Sequence, residues 1–189
     1  MKRKEEIIRR AVEVFEQKGV SGSSFEDIAE AVGIKREGLY YYFRDRAAIL
    51  VEITLEPSRN LLKGLQDILE TNQSNEAKLR LALENHLDRF DPNYLEMAVA
   101  LREHHIYETN EEMEILRQVW KQYSDLWIKL IREGQASGSF QSSQNPKLVA
   151  YGVLGMCNWL SRWYDPGKDI PVTEVIDTYF NMILNGISR

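Results

Sequence analysis

The sequence predicts an all-α fold, with a small three-helix head over residues 1–46 and a larger helical body over residues 47–189. Three observations predict it. Apolar residues recur at helical spacing from one end of the chain to the other. No stretch shows the apolar–polar alternation of a half-buried strand. The breaks between periodic stretches carry helix starts (serine, threonine, asparagine or aspartate) and helix stops (glycine).

The bounds agree with this. A chain of 189 residues can bury a real core, and 43% hydrophobic with 28% charged residues is an ordinary globular balance. The single cysteine, Cys157, excludes a disulfide framework and suits a reducing compartment. No apolar run reaches membrane-spanning length, and the basic start MKRKEEIIRRAVEVF is interrupted by acids, unlike a secretory leader. The expectation is a soluble, cytoplasmic protein with no cofactor and no membrane association. Net charge is −5, divided as +1 over residues 1–46 and −6 over residues 47–189. An acidic body thus carries a locally basic end.

The first helix is expected over residues 2–18, with Ile7, Ile8, Ala11, Val12 and Phe15 along one stripe and Gly19 closing it. Lys2 and Arg3 at its start suit either a phosphate contact or a solvated tail. Ser24 caps a second helix, with Asp27 as the returning half of a capping box. Phe25, Ile28, Ala29 and Val32 make its apolar face, and Gly33 ends it. A third helix is expected from Arg36 to Phe43, with Leu39 and Phe43 inward. A small residue, a glycine four on and a leucine six beyond that is the spacing of a helix-turn-helix, whose second helix enters a DNA major groove.

The outer face of that third helix fits the role. Lys35 and Arg36 stand at its start, Glu37 is the acid on that face, Gly38 offers no side chain, and Tyr40 and Tyr41 present hydroxyls to phosphates. Arg44 and Arg46 follow for further phosphates. Three consecutive tyrosines also suit a small core, and Tyr42 is expected inward with Phe43. The expected DNA-binding set is Ser24, Lys35, Arg36, Glu37, Gly38, Tyr40, Tyr41, Arg44 and Arg46.

These residues carry a resemblance. Ala11 to Gly19 (AVEVFEQKG), Ser24 to Gly33 (SFEDIAEAVG), Leu39 to Phe43 (LYYYF) and the base at Arg46 together resemble the DNA-binding domain of TetR family bacterial repressors. Four positions depart from the family's pattern. Lys35 stands where a serine or threonine often caps the recognition helix, Gly38 where a threonine often precedes the leucine, and Asp45–Arg46 where Ser–Lys is usual. Asp45 is expected to cap the next helix, and Arg46 to take the phosphate.

The body reads as helices throughout. One runs from about Asp45 past Leu69, with Pro57 expected to kink it or offset its register. After the polar break TNQSNEA another spans about Asn75 to Phe90, and Asp91–Pro92 starts the next. Thr109 with Glu112 opens a long helix to about Ser137. Asn145–Pro146 begins a helix to Trp163, and Val172 to Ile187 is the last. These two final helices are apolar beyond the need of one face, which points to a homodimer whose paired heads read a palindromic operator.

Trp120, Tyr123 and Trp127 share a helix, and Met156, Trp159, Arg162, Trp163 and Tyr164 share another, with Tyr107 adding to them. Aromatic stripes at this spacing commonly pack a core. Four tryptophans with Arg102, His104, His105 and Arg162 among them also suit an apolar cavity with polar anchors. The expected ligand-binding set is Arg102, His105, Trp120, Tyr123, Trp127, Met156, Trp159, Arg162 and Trp163. The pieces LREHHIY (101–107), IREGQASGSF (131–140) and GMCNWLSRWYDP (155–166) resemble the family's acyl-CoA-responsive lipid- and steroid-catabolism repressors. The resemblance implies an apolar small-molecule effector, an acyl-CoA thioester, that releases double-stranded DNA. The rival reading is a small helical metal-binding protein or enzyme centred on His104 and His105, with Glu108 sharing a helix face with His104. No phosphate-cradling glycine loop and no nucleophile elbow is present.

Overall fold

The computed structural model describes residues 2–20, 22–87, 111–168 and 170–187. Among the described residues there are eight helices and no strand. They are α1 (Lys2–Lys18), α2 (Phe25–Val32), α3 (Arg36–Tyr40), α4 (Arg46–Glu70), α5 (Asn75–Leu87), α6 (Glu111–Ala136), α7 (Pro146–Trp163) and α8 (Val172–Ile187). The expected helix start at Asp91–Pro92 and the Thr109 half of the expected capping box lie outside the described residues.

The chain forms two compact units, one of Met1–Ser58 with Asn93–Gln118 and one of Arg59–Pro92 with Val119–Arg189. The first contains the head together with the first half of α4. Ile7, Ala11, Val12 and Phe15 of α1 close over Ile28, Ala29 and Val32 of α2, all buried. Leu39 and Phe43 complete this core from the far side of the turn, with Ile49, Leu50 and Ile53 of α4 also buried.

The turn between α2 and α3 follows from one residue. Gly33 sits at φ 73°, where a side chain would be strained. That conformation sends the Gly33 N–H to the Glu30 carbonyl at 3.0 Å and the Ile34 N–H to the Ala29 carbonyl at 3.0 Å, so the helix ends with its carbonyls satisfied. α3 is shorter than expected. The N–H groups of Tyr42 and Phe43 both converge on the Leu39 carbonyl, at 2.8 and 2.9 Å, which closes the helix in a tight turn. Phe43 reaches the core, but Tyr42, expected inward, is turned out and is 37% exposed.

α4 begins where Asp45 accepts the Ala48 N–H at 2.9 Å, the cap expected of it. The helix is continuous through Pro57. Hydroxyl-to-carbonyl bonds from Thr54 to Leu50 (2.8 Å) and from Ser58 to Thr54 (2.7 Å) flank the proline.

In the second unit α5 packs on α7 and α8. At Gly64 of α4 the helix lies so close to Asn85 of α5 that an added Cβ would stand 2.1 Å from the amide oxygen. The same amide donates to the Leu61 carbonyl at 3.0 Å. The loop before α7 is tied down by polar contacts. Gln135 donates to the carbonyls of Gln141 (2.9 Å) and Gln144 (2.8 Å), and the Gln141 N–H donates to the Ile187 carbonyl at 2.7 Å. Asn145 then caps α7, its side chain accepting from the Lys147 and Leu148 N–H groups, with Pro146 as first helical residue. Among the described residues no helix is long and apolar enough to cross a membrane.

Candidate functional site

The head presents its polar side chains from a scaffold set by the α2 cap. The Ser24 hydroxyl accepts the Asp27 N–H at 3.1 Å, while the Asp27 carboxylate accepts the Ser24 N–H at 2.7 Å and the Lys18 ammonium at 2.6 Å. Lys18 first, then Ser24, holds the Asp27 carboxyl down at about 2. The Ser24 hydroxyl, expected on DNA, is thereby engaged in the cap.

Lys35, Arg36, Glu37, Tyr40 and Tyr41 are exposed on and beside α3, and Gly38 is half-buried. Tyr41 is 84% exposed, the most open of the large hydrophobic residues among those described. Tyr40 rests on the buried Phe25 ring, centroids 5.0 Å apart. Arg36 donates to the Tyr40 hydroxyl at 2.8 Å, lies 5.5 Å over its ring, and forms an ion pair with Glu26. Sequence reasoning misses Glu26 because it belongs to α2; its place in the first turn, next to the cap and off the apolar stripe, is the available signal.

Arg44 is exposed and pairs with the adjacent Asp45 at 3.4 Å. Arg46, expected on a phosphate, is placed differently. Its guanidinium turns inward and donates to the carbonyls of Val20 (2.8 Å) and Ser23 (2.7 Å), bolting the α1–α2 loop to the start of α4. The Val20 carbonyl also accepts the Ser23 N–H at 3.2 Å, so the guanidinium adds a second donor to an already closed turn.

A cleft of about 330 Å³ opens beside Lys4, Tyr42, Phe43, Arg44, Ala48, Val51 and Glu52. Lys4 bonds Glu52 at 2.6 Å and lies 5.5 Å over the Phe43 ring. Charge alone singles out Lys2 and Arg3 at this end of α1. Lys4 is discoverable too, since it shares the helical stripe of Ile8, Ala11 and Phe15.

In the second unit the aromatic residues do not form one group. Trp120, Tyr123 and Trp127 of α6 are buried, with edge-on contacts at centroid distances of 5.6 and 6.4 Å. The fully buried Trp127 finds no hydrogen-bond partner for its indole N–H among the described residues. His86 of α5, also fully buried, stacks on Tyr123. One ring nitrogen meets the Tyr123 hydroxyl at 2.8 Å and the other the Asn158 side-chain oxygen at 3.1 Å. Sequence reasoning does not foresee this polar link across α5, α6 and α7. Its signal is a histidine on the stripe of Leu79, Ala82, Leu83 and Leu87.

Trp159 and Trp163, expected in one pocket with these residues, are 64% and 47% exposed, and Arg162 is exposed beside them. α7 explains the exposure. Its inner stripe is Ala150, Val153, Leu154, Cys157, Leu160 and Ser161, and the two tryptophans project from the opposite side. Met156 is half-buried between the faces. Burial pushes the Cys157 thiol up to about 12. The outer stripe continues through Leu148, Tyr151 and two glycines, Gly152 and Gly155, at which an added Cβ meets nothing within 4 Å. Met182 is exposed on α8.

Arg102, His104, His105, Tyr107 and Glu108 lie outside the described residues. Among the described residues no group of three or more histidines, cysteines and carboxylates is placed to hold a metal ion.

Comparison with known proteins places this geometry. Residues 7–53 match the family model described as bacterial regulatory proteins, tetR family, and residues 72–187 match the tetracyclin repressor-like C-terminal domain. The HTH-type transcriptional repressor KstR2 of Rhodococcus jostii (strain RHA1) is 25% identical over 187 residues, covering 98% of this chain and 91% of that protein. The crystal structure of the TetR family regulator PfmR from Thermus thermophilus aligns with a TM-score of 0.80 at 27% identity, over 97% of this chain and 99% of that one. AibR, solved in complex with isovaleryl coenzyme A and operator DNA, aligns with a TM-score of 0.81 at 20% identity, over 95% and 97% of the two chains. With an exposed helix-turn-helix at one end and a matched C-terminal domain over more than half its length, the chain belongs to the TetR family of DNA-binding transcriptional repressors, which are regulators and not enzymes.

Proposed function

We propose that this repressor works in the cytoplasm as a homodimer, binds a palindromic operator through residues 1–46, and is released when residues 47–189 take up a largely apolar effector of the acyl-CoA thioester class. The observation that carries the reading is the pairing of two outward surfaces. One is the α3 face with Lys35, Arg36, Tyr40 and Tyr41, and the other is the outer stripe of α7 with Trp159 and Trp163. The first suits a major groove, and the second is an apolar surface a lone protomer leaves in water. Pairing through α7 and α8 offers two heads to half-sites about one helical turn apart, roughly 34–36 Å.

In this reading Lys35, Arg36, Tyr40, Tyr41 and Arg44 contact DNA, and Glu37 and Gly38 border the bases. Trp159, Arg162 and Trp163 face the partner protomer. Effector contacts are assigned to Arg102, His105, Met156 and the aromatic layer of Trp120, Tyr123 and Trp127. The similarity to KstR2, and to AibR with its isovaleryl coenzyme A, supports the effector class. A basic side chain such as Arg102 suits CoA phosphates, and an apolar interior suits the acyl chain.

The test is direct. Duplexes are selected from a random pool by the full chain, and their binding is followed by fluorescence anisotropy while acyl-CoA thioesters of graded chain length are added. Release by the thioester, but not by free CoA, is expected. A selected duplex that no thioester displaces would overturn the effector assignment and leave the DNA-binding family intact. Sedimentation should give a dimer, and Trp159→Glu should give a monomer with weaker operator binding.

A further inference from the structure

We propose that Glu26 is a positioning residue for sequence discrimination: it fixes the direction of the Arg36 guanidinium and withholds it from phosphates. The inference rests on the assignment of Arg36 to the DNA-reading face.

Arg36 is held from two sides. One guanidinium nitrogen pairs with the Glu26 carboxylate, and another donates to the Tyr40 hydroxyl at 2.8 Å. The Tyr40 ring beneath it is itself seated on buried Phe25. Glu26 stands in the first turn of α2, next to the Ser24–Asp27 box, so the carboxylate is presented by a capped helix. The arginine is therefore braced against α2 by the acid and against α3 by the phenol.

Such a brace does little for stability. The two side chains are 49% and 57% exposed, and ion pairs this open contribute little to folding. Its effect is on binding. An unbraced arginine at the start of α3 swings between base edges and phosphates, and phosphate contact is blind to sequence. Holding the guanidinium removes one sequence-independent contact. The carboxylate also repels a duplex that does not offer Arg36 a matching base.

The experiment compares wild type with Glu26→Gln on two probes, a duplex selected from a random pool by the wild-type chain and a random-sequence duplex of equal length. Binding is measured from about 50 to about 300 mM salt, the range in which counterion release is resolved. Glu26→Gln is expected to bind the random duplex about tenfold more tightly, to change affinity for the selected duplex less than about threefold, and to steepen the random-duplex salt dependence by about one ion. Glu30→Gln on the same helix makes the identical change in net charge without touching Arg36, and should leave the ratio of the two affinities unchanged. An unchanged ratio in Glu26→Gln, or the same fall in Glu30→Gln, overturns the proposal. Arg36→Ala serves as the second arm. Full discrimination in that variant would overturn the placement of Arg36 on the reading face, and the inference with it.

Discussion

The head and the second unit use their polar side chains in opposite ways. In the head, Lys35, Arg36, Tyr40 and Tyr41 are pushed into solvent by a short motif, and the burial beneath them is supplied by aliphatic and phenylalanine side chains. In the second unit, His86, Tyr123 and Asn158 turn their polar atoms on one another across three helices, and Trp127 buries an N–H with no partner among the described residues. A surface made by neighbours in sequence is insensitive to how the rest of the chain packs. An interior made by residues 86, 123 and 158 exists only once the helices have assembled.

The sharpest way to break this contrast is at Trp127. Trp127→Ala should cost about 3–5 kcal/mol in denaturant unfolding, the range for emptying a buried tryptophan site. Trp127→Phe should cost far less, within about 1.5 kcal/mol, because the lost area is offset by removing a buried donor that has no partner among the described residues. Equal losses in the two variants would show that the indole N–H is not a liability. Next in size is Arg46. Arg46→Ala removes the two guanidinium bonds to the α1–α2 loop and should lower the stability of the head by about 1–3 kcal/mol, read from amide exchange in α1 and α2. A variant that exchanges like wild type but loses salt-dependent DNA affinity would return Arg46 to the phosphates.

Tyr41→Ala should do the reverse. Melting should be unchanged, because the side chain is almost fully open, and affinity for a selected duplex should fall about tenfold by anisotropy. The smallest expected effect concerns acid. Asp27 titrates at about 2 in the folded chain against roughly 4 when unfolded, so its stabilisation is whole above pH ~4 and lost as the pH falls toward 2. Carboxyl-carbon NMR should place that titration directly, and Asp27→Asn should remove this part of the acid dependence. A folded-chain midpoint at the ordinary aspartate value would mean that Lys18 and Ser24 do not hold the carboxylate.

The same contrast explains what is legible in the chain without its structure. Ser24, Asp27 and Gly33 act within a few residues of themselves, so the capping box and the turn can be read directly, as can the Asn145–Pro146 start of α7 and the Asp45 cap of α4. Tyr42 cannot, because its direction depends on how α3 ends, and a shared bond to one carbonyl decides that. Trp159 and Trp163 group with Trp127 in a sequence because aromatic content is visible there and helix rotation is not. His86 escapes notice because a lone histidine on an apolar stripe gains meaning only from Tyr123 and Asn158, which lie far along the chain. Charge assigns Arg46 to a phosphate, whereas the Val20 and Ser23 carbonyls, in a loop well before it, claim it.

One further property follows from Gly38. A Cβ placed there would meet only the Ile34 side chain, at 3.5 Å, an ordinary contact, and its backbone lies in a region open to any residue. The helix therefore carries a blank letter on its outer side. Threonine, serine or asparagine can be written into it without disturbing the interior and with a gain in helical preference over glycine. On the proposed DNA-binding reading, filling that blank is a route to a changed operator preference, while every residue that builds the scaffold stays as it is.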